Sequence, residues 1–136
     1  MRVLRIAGVI LGLLVLLAVG TYVAGEQTEV AVLHTVDDAG APHHTKLWVV
    51  DHDGAAWVRV ARPERRWFQR LQAHPRIEIT RAGKTLAVIA VPDRSPEARA
   101  AIDGAFRAKY GLVDWWYGLL LRSNPIPVRL DPAPPA

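Results

Sequence analysis

The sequence contains no cysteine among its 136 residues. Disulfide bonds and thiolate metal sites are therefore excluded, and the folded part must be held together by its hydrophobic core. The sequence also lacks a P-loop, a dinucleotide-binding glycine fingerprint and a G-x-S-x-G motif. These absences exclude the nucleotide-binding and hydrolase classes that such motifs identify.

The histidines do not form a metal-binding pattern. The five histidines include no HxxxH pair, and the adjacent His43 and His44 point to opposite faces of a predicted strand. We therefore predict no metal site, and expect the histidines to lie at the surface or to form hydrogen bonds.

The basic residues are not in general excess outside the N-terminus. Of 17 Lys and Arg residues, Arg2 and Arg5 precede an apolar segment, which leaves 15 basic residues against 13 acidic ones. Basic side chains are instead concentrated in residues 57–70, WVRVARPERRWFQR. This distribution predicts no nucleic-acid partner, because such binding requires a broad basic surface.

The N-terminus carries a long apolar run. Ile6 to Gly25 contains twenty residues without a charge, and at about 1.5 Å per residue it matches the roughly 30 Å hydrocarbon layer of a bilayer. We predict that residues 1–25 form a membrane anchor that contacts lipid through residues 6–25. The alternative is a signal peptide cleaved after Ala18-Val19-Gly20 or Val23-Ala24-Gly25, which would make the protein secreted.

The charges around this run predict the orientation of the protein. Arg2 and Arg5 precede it and Glu26 and Glu29 follow it, which favours an N-terminus inside the cytoplasm and a domain on the outer side. Since arginine far outnumbers lysine, a GC-rich bacterial genome is indicated. The expected location is the bacterial cytoplasmic membrane, crossed once.

Short alternating strands follow residue 26, interrupted by helical patterns. The helical patterns begin near Pro63, at Ser95-Pro96 and at Asp114, which we expect to cap a short helix. The six predicted strands are residues 29–36, 43–50, 56–61, 76–81, 85–91 and 126–130. The expected fold class is α+β, a small antiparallel six-stranded barrel with two to three helices over residues 26–131 and a disordered tail at 132–136.

Two features of the C-terminal part of the sequence lead to further predictions. Pro127 suits an edge strand or a bulge, because proline cannot donate a ladder hydrogen bond. The segment 114–122, DWWYGLLLR, is too apolar for a solvated helix and too short to span a bilayer. It either packs on the barrel, covers a binding site, forms a dimer face, or lies at the membrane interface.

Several short patterns resemble one superfamily. They are VDDAGAPHHTKLWVV, then WVR, RWFQRLQAHP and RIEI, and later IDGAFRAKYG and PVRLDP. Together they are similar to the split β-barrel proteins related to pyridoxamine phosphate oxidase, which include flavin- and deazaflavin-dependent reductases, and most similar to a membrane-anchored subgroup of it. The resemblance implies a homodimer that binds FMN or a deazaflavin between its barrels.

The resemblance also implies which residues bind the cofactor. Basic side chains on the second and third strands and near the following helix hold its phosphate, and guanidinium groups suit this role. The matching positions are Thr45, Lys46, Trp48, Arg59, Arg65, Arg66 and Trp67. The expected function is an oxidoreductase acting on a quinone or nitro-type acceptor, with catalytic residues unassigned.

Two hypotheses compete with this one. A cofactor-free module could use the Arg and Trp surface to bind a protein partner or anionic lipid headgroups. A haem-binding split barrel is the third hypothesis, based on the histidines and on precedent in the superfamily.

Overall fold

The computed structural model describes residues 1–27, 29–121 and 125–134. Within these residues the chain forms four helices and seven strands. In chain order they are α1 (Arg2–Gln27), β1 (Val30–Val36), β2 (Pro42–Trp48), β3 (Val50–His52), β4 (Ala55–Val60), α2 (Arg66–Ala73), β5 (Arg76–Arg81), β6 (Lys84–Pro92), α3 (Pro96–Tyr110), α4 (Leu112–Leu121) and β7 (Ile126–Pro132).

Helix α1 is long and apolar enough to cross a membrane over Arg2–Gly20, and none of that stretch is buried against the domain. An N-terminal signal sequence has the same length and composition. The structure therefore supplies a helix that can span a bilayer, as the sequence predicts.

The strands form one antiparallel sheet in the order β2-β1-β5-β6-β7-β4-β3, which confirms the predicted α+β barrel class. There are seven strands rather than six because the predicted strand 43–50 is divided at Val49. The N–H of Val49 donates to the Tyr110 hydroxyl at 3.2 Å, and that hydroxyl lies 2.9 Å from the Val49 carbonyl oxygen. Val49 thus bonds to a helix, and the chain turns into β3.

The position of β7 contradicts one of the two alternatives predicted for Pro127, the edge strand. β7 lies between β6 and β4 and is not an edge strand. Proline is tolerated there because the pairing with β6 stops at Val128, which is opposite Pro92. The Pro127 carbonyl oxygen still accepts a hydrogen bond from the Asp93 N–H at 2.9 Å.

Each face of the sheet contributes to a separate hydrophobic core. The inner core fills the barrel and includes the side of α2 that carries Trp67, Phe68 and Leu71. The outer core lies between α3 and the β3–β4 end of the sheet, and consists of Val50, Trp57, Ile102, Phe106 and Tyr110. Helix α3 therefore covers only one end of the outer sheet face.

The helix boundaries agree in part with the sequence. Helix α3 begins as predicted, because the Ser95 hydroxyl accepts the Ala98 N–H at 3.2 Å and Pro96 is the first helical residue. Helix α2 begins at Arg66, three residues after Pro63. Helix α4 begins at Leu112, so Asp114 lies inside the helix and the prediction that it caps the helix is wrong.

The C-terminal segment is bonded to the sheet as far as it is described. The Ala133 N–H donates to the Ala87 carbonyl at 3.0 Å, and Arg76 Nη2 donates to the Pro134 carbonyl at 3.0 Å. The last two residues of the predicted disordered tail lie outside the described part of the chain, as does Arg122 at the end of the apolar segment.

Candidate functional site

Arg59 lies in strand β4 and forms two buried ion pairs. Its Nη1 donates to Asp103 Oδ1 at 2.7 Å, and its Nη2 donates to Asp114 Oδ1 at 2.5 Å. The side chains of Arg59 and Asp114 are 5% and 4% exposed. The guanidinium carbon also lies 4.1 Å from the centre of the Phe106 ring, a cation–π contact. Arg59 thus connects the sheet to α3 and α4.

This geometry bears on the predicted phosphate role of Arg59. A phosphate would have to displace two carboxylates from a guanidinium that solvent scarcely reaches. Neither carboxylate partner is signalled by local sequence, since they lie 44 and 55 residues away. The cofactor role of Arg59 stays a prediction, and the structure adds a packing role that the sequence did not reveal.

The two predicted tryptophans are packed against the protein. Trp48 is half-buried and stacks on Tyr110, with ring centroids 4.6 Å apart and planes 11° from parallel. Trp67 is 7% exposed in the inner core and meets Phe68 edge to face. They therefore lie on opposite faces of the sheet. Within a single copy of the chain, the predicted site residues do not all meet at one site.

The remaining four predicted residues reach solvent. Thr45 is half-buried on β2, and Lys46 next to it is exposed. Arg65 and Arg66 are exposed at the start of α2. The side chains of Lys46, Arg65 and Arg66 have no hydrogen-bonding or ionic partner among the described residues. These three cations are accessible to an anion.

Four of the five arginines in the stretch 57–70 therefore divide into two groups. Arg59 is buried, and Arg70 donates from Nε to the buried Thr35 hydroxyl at 2.9 Å, which ties α2 to β1. Arg65 and Arg66 point to solvent. Only the second group is arranged as a binding surface requires.

Among the described residues, no helix covers part of the outer sheet face. On β1 it presents Val30, Val32, His34 and Val36, and on β2 it presents His44 and Lys46. Val30 and Val36 are 39% and 37% exposed. This face combines accessible apolar side chains with the Lys46 cation.

Histidine side chains form a hydrogen-bonded row across this face. Nδ1 of His34 lies 2.7 Å from Nδ1 of His44, and Nε2 of His34 lies 2.7 Å from the Thr80 hydroxyl. A short contact between two ring nitrogens is a hydrogen bond in which one nitrogen donates and the other accepts. Among the described residues, no group of three or more His, Cys, Asp or Glu side chains is arranged to hold a metal.

A charged network that the sequence did not reveal surrounds Glu29, two residues beyond the end of α1. Arg81 forms two bonds of 2.7 Å to Asp51 and one of 3.0 Å to Glu29 Oε1, which also pairs with Lys109. The Tyr110 hydroxyl lies 2.9 Å from the Glu29 carbonyl oxygen. The chain is therefore held to the sheet and to α3 immediately after the apolar helix.

The network makes part of the stability dependent on pH. Hydrogen bonds from Lys109 and then Arg81 lower the pKa of Glu29 below its ordinary 4.5, and the bond from Arg81 lowers the pKa of Asp51 below 3.8. Because both pKa values are lower in the folded state, the stabilisation is complete above about pH 4.5 and is lost as pH falls through the lowered values.

We expect Arg81→Gln to cost roughly 0.5–1 kcal/mol at pH 7, since the network is partly solvated. The variant should also lose less stability than wild type between pH 5 and pH 3. Thermal unfolding in detergent at both pH values would measure this. An equal loss on acidification in the two proteins would contradict it.

A cleft of about 570 Å³ opens at the end of the barrel next to this network. Its lining is mainly apolar and includes Leu86, whose side chain is 62% exposed, together with Arg76 and Arg81. None of the seven predicted cofactor-binding residues lines it. Because Arg81 also contacts Glu29, the cleft lies beside the point where the chain leaves α1.

Solved structures share this fold. They include a putative pyridoxamine 5'-phosphate oxidase from Listeria innocua (14% identity, 87% of this chain and 94% of that chain, TM-score 0.61). An F420-H2 dependent reductase, FDR-A, matches at 15% identity over 74% and 93%, with a TM-score of 0.55. HutZ, a haem storage protein from Vibrio cholerae, matches at 17% over 82% and 87%, with a TM-score of 0.57.

At these identities the similarity establishes the fold alone, which is the split barrel of pyridoxamine phosphate oxidase-like proteins. A search of the curated proteins finds no match. A family profile does match residues 22–119, which include the predicted cofactor-binding residues and most of α4. The chain therefore belongs to the bacterial family described as "Uncharacterized protein conserved in bacteria (DUF2255)".

Proposed function

We propose that this protein is a membrane-anchored split barrel that binds a flavin-type cofactor, FMN or a deazaflavin, between two copies of the chain and reduces an apolar acceptor. The observation that carries the proposal is the uncovered outer sheet face with the accessible cation Lys46, in a fold shared with an F420-H2 dependent reductase and a putative pyridoxamine 5'-phosphate oxidase. When bound, the cofactor supplies the redox chemistry.

The residues of this chain fit such a cofactor in part. Lys46, Arg65 and Arg66 are accessible and unpaired among the described residues, so they can bind a phosphate. They lie on a strand and at the start of a helix, on separate parts of the chain. A dimer is proposed because apolar residues of the uncovered face need a partner surface, and a second copy would supply basic groups from its own α2.

The cleft supports an acceptor that partitions into lipid. Its apolar lining suits a quinone ring. Arg76 and Arg81, which also line it, carry N–H groups that can donate hydrogen bonds to a quinone oxygen. With α1 in the bilayer and Glu29 bonded to Arg81, the cleft would open close to the membrane surface. A nitro-type acceptor would use the same donors.

The proposal predicts that Lys46→Gln weakens flavin binding about 10- to 100-fold, because a hydrogen bond to a charged group contributes about 1.5–3 kcal/mol. Lys84→Gln is the matched control, since Lys84 is an exposed lysine at the start of β6. Fluorescence titration of the detergent-purified full-length protein with FMN and with a deazaflavin measures both.

Equal affinities in the two variants would remove Lys46 from the site. A wild-type protein that carries no flavin and binds neither compound would end the proposal, and would favour the cofactor-free module that binds a protein partner or anionic headgroups.

A haem-binding protein is the second candidate. It is favoured by the His34–His44 pair on the uncovered face and by the fold shared with a haem storage protein. The His44 ring would bind the iron through Nε2, because Nδ1 contacts His34. An absorption spectrum of the protein, recorded after incubation with haem and removal of the unbound haem, separates the candidates, since protein without a Soret band has not bound haem.

A further inference from the structure

Helix α4 presents an apolar face to the outside of the domain. Leu112, Trp115 and Leu119 are 83%, 54% and 67% exposed. Their spacing of three and four residues places them on one side of the helix. Side chains this large are rarely left together in water without a partner surface.

The rotation of α4 is fixed by its opposite side. Asp114 lies roughly across the helix from the apolar face and is 3% exposed, where it pairs with Arg59. Turning Leu112 or Leu119 inward would pull Asp114 away from its buried partner. The apolar face therefore points outward because the Arg59–Asp114 pair holds it there.

The position of α4 indicates what covers this face. Helix α4 contacts α1 and begins two residues after Tyr110. Tyr110 and the preceding Lys109 both contact Glu29, which follows α1 after one residue. The start of α4 is thus held within a few side chains of the place where the apolar N-terminal helix ends.

We propose that α4 lies in the interfacial layer of the bilayer that α1 enters, with Leu112, Trp115 and Leu119 inserted below the headgroups. This rests on the anchoring that is part of the proposed function. Ten residues of helix extend about 15 Å and cannot cross a bilayer, while a tryptophan and leucines on one face suit its interface. The domain is thereby attached at two points and held at a fixed tilt.

The absence of cysteine permits a direct test on the full-length chain in vesicles of phosphatidylcholine and phosphatidylglycerol. Leu119→Cys places a single nitroxide label on the apolar face of α4. Gln72→Cys is the matched control, because Gln72 is exposed on α2. Arg70 bonds α2 to Thr35 near the C-terminal end of β1, whereas Glu29 precedes the N-terminal end of that strand. Leu14→Cys, in α1, reports on the anchor itself.

We expect the label at position 119 to collide several-fold less often with a water-soluble nickel chelate, and more often with oxygen, than the label at position 72. Equal exposure to the chelate at both positions would overturn the inference. So would a label at position 119 that neither reagent reaches, because protein would then cover the face. If the label at position 14 is also exposed to the chelate, the anchor is wrong and the inference fails with it.

Discussion

Replacing Arg59 by alanine is expected to lower the free energy of unfolding by about 3–5 kcal/mol, because the change removes the guanidinium that pairs with the buried Asp114 carboxylate. Asp114 is 4% exposed at its side chain and cannot be rehydrated without moving α4. Denaturant unfolding of the full-length protein in detergent measures the loss. A cost below 1 kcal/mol would show that the ion pair is not a structural link.

Two companion variants separate the charge effect from a general failure to fold. Asp103→Asn should cost less than 1 kcal/mol, because the Asp103 side chain is 35% exposed and water can replace the bond. The double variant Arg59→Met with Asp114→Leu removes both buried charges, and should recover most of the stability lost in Arg59→Ala. If the double variant is as unstable as the single one, packing rather than charge explains the loss.

Replacing Phe106 by alanine is expected to cost about 3–5 kcal/mol, through lost transfer energy and the cavity left behind. Phe106 is 1% exposed, stacks on Tyr110 at 5.8 Å between ring centroids, and contacts the Arg59 guanidinium. The same unfolding experiment measures the cost. A loss under about 1.5 kcal/mol would mean that the outer core collapses around the cavity.

The coupling between these two positions gives a sharper test. Arg59 and Phe106 are in contact, so their effects should not add, with an interaction energy of roughly 0.5–3 kcal/mol. Phe68→Ala is the matched control, because Phe68 is equally buried in the inner core on the other face of the sheet. Its effect should add to that of Arg59→Ala within about 0.5 kcal/mol.

Local signals in the sequence predicted the elements that depend on local chemistry. Ser95 and Pro96 begin α3 because a hydroxyl cap and a fixed proline φ act within one helical turn. Asp53-Gly54 and Ala82-Gly83 lie in the short gaps between predicted strands, and they turn the chain with positive φ values between 50° and 77°. The strands were likewise predicted from a local pattern, the alternation of polar and apolar residues that gives each strand one polar and one apolar face.

The sequence did not predict what depends on distant partners. The division of the second strand at Val49 follows from a hydroxyl 61 residues further along the chain. The burial of Arg59 follows from carboxylates on two later helices. In the sequence alone, an arginine between apolar strand residues is equally compatible with a ligand role.

The sheet order has a consequence for how the domain is made. β7 follows all the other described strands in the chain and is hydrogen-bonded between β6 and β4, and within the described residues it alone joins the β4–β3 hairpin to the other four strands by ladder bonds. The barrel therefore cannot be completed before β7 is available. A truncation before Ile126 should therefore leave two half-sheets that no ladder bonds join, even though all the other strands are present.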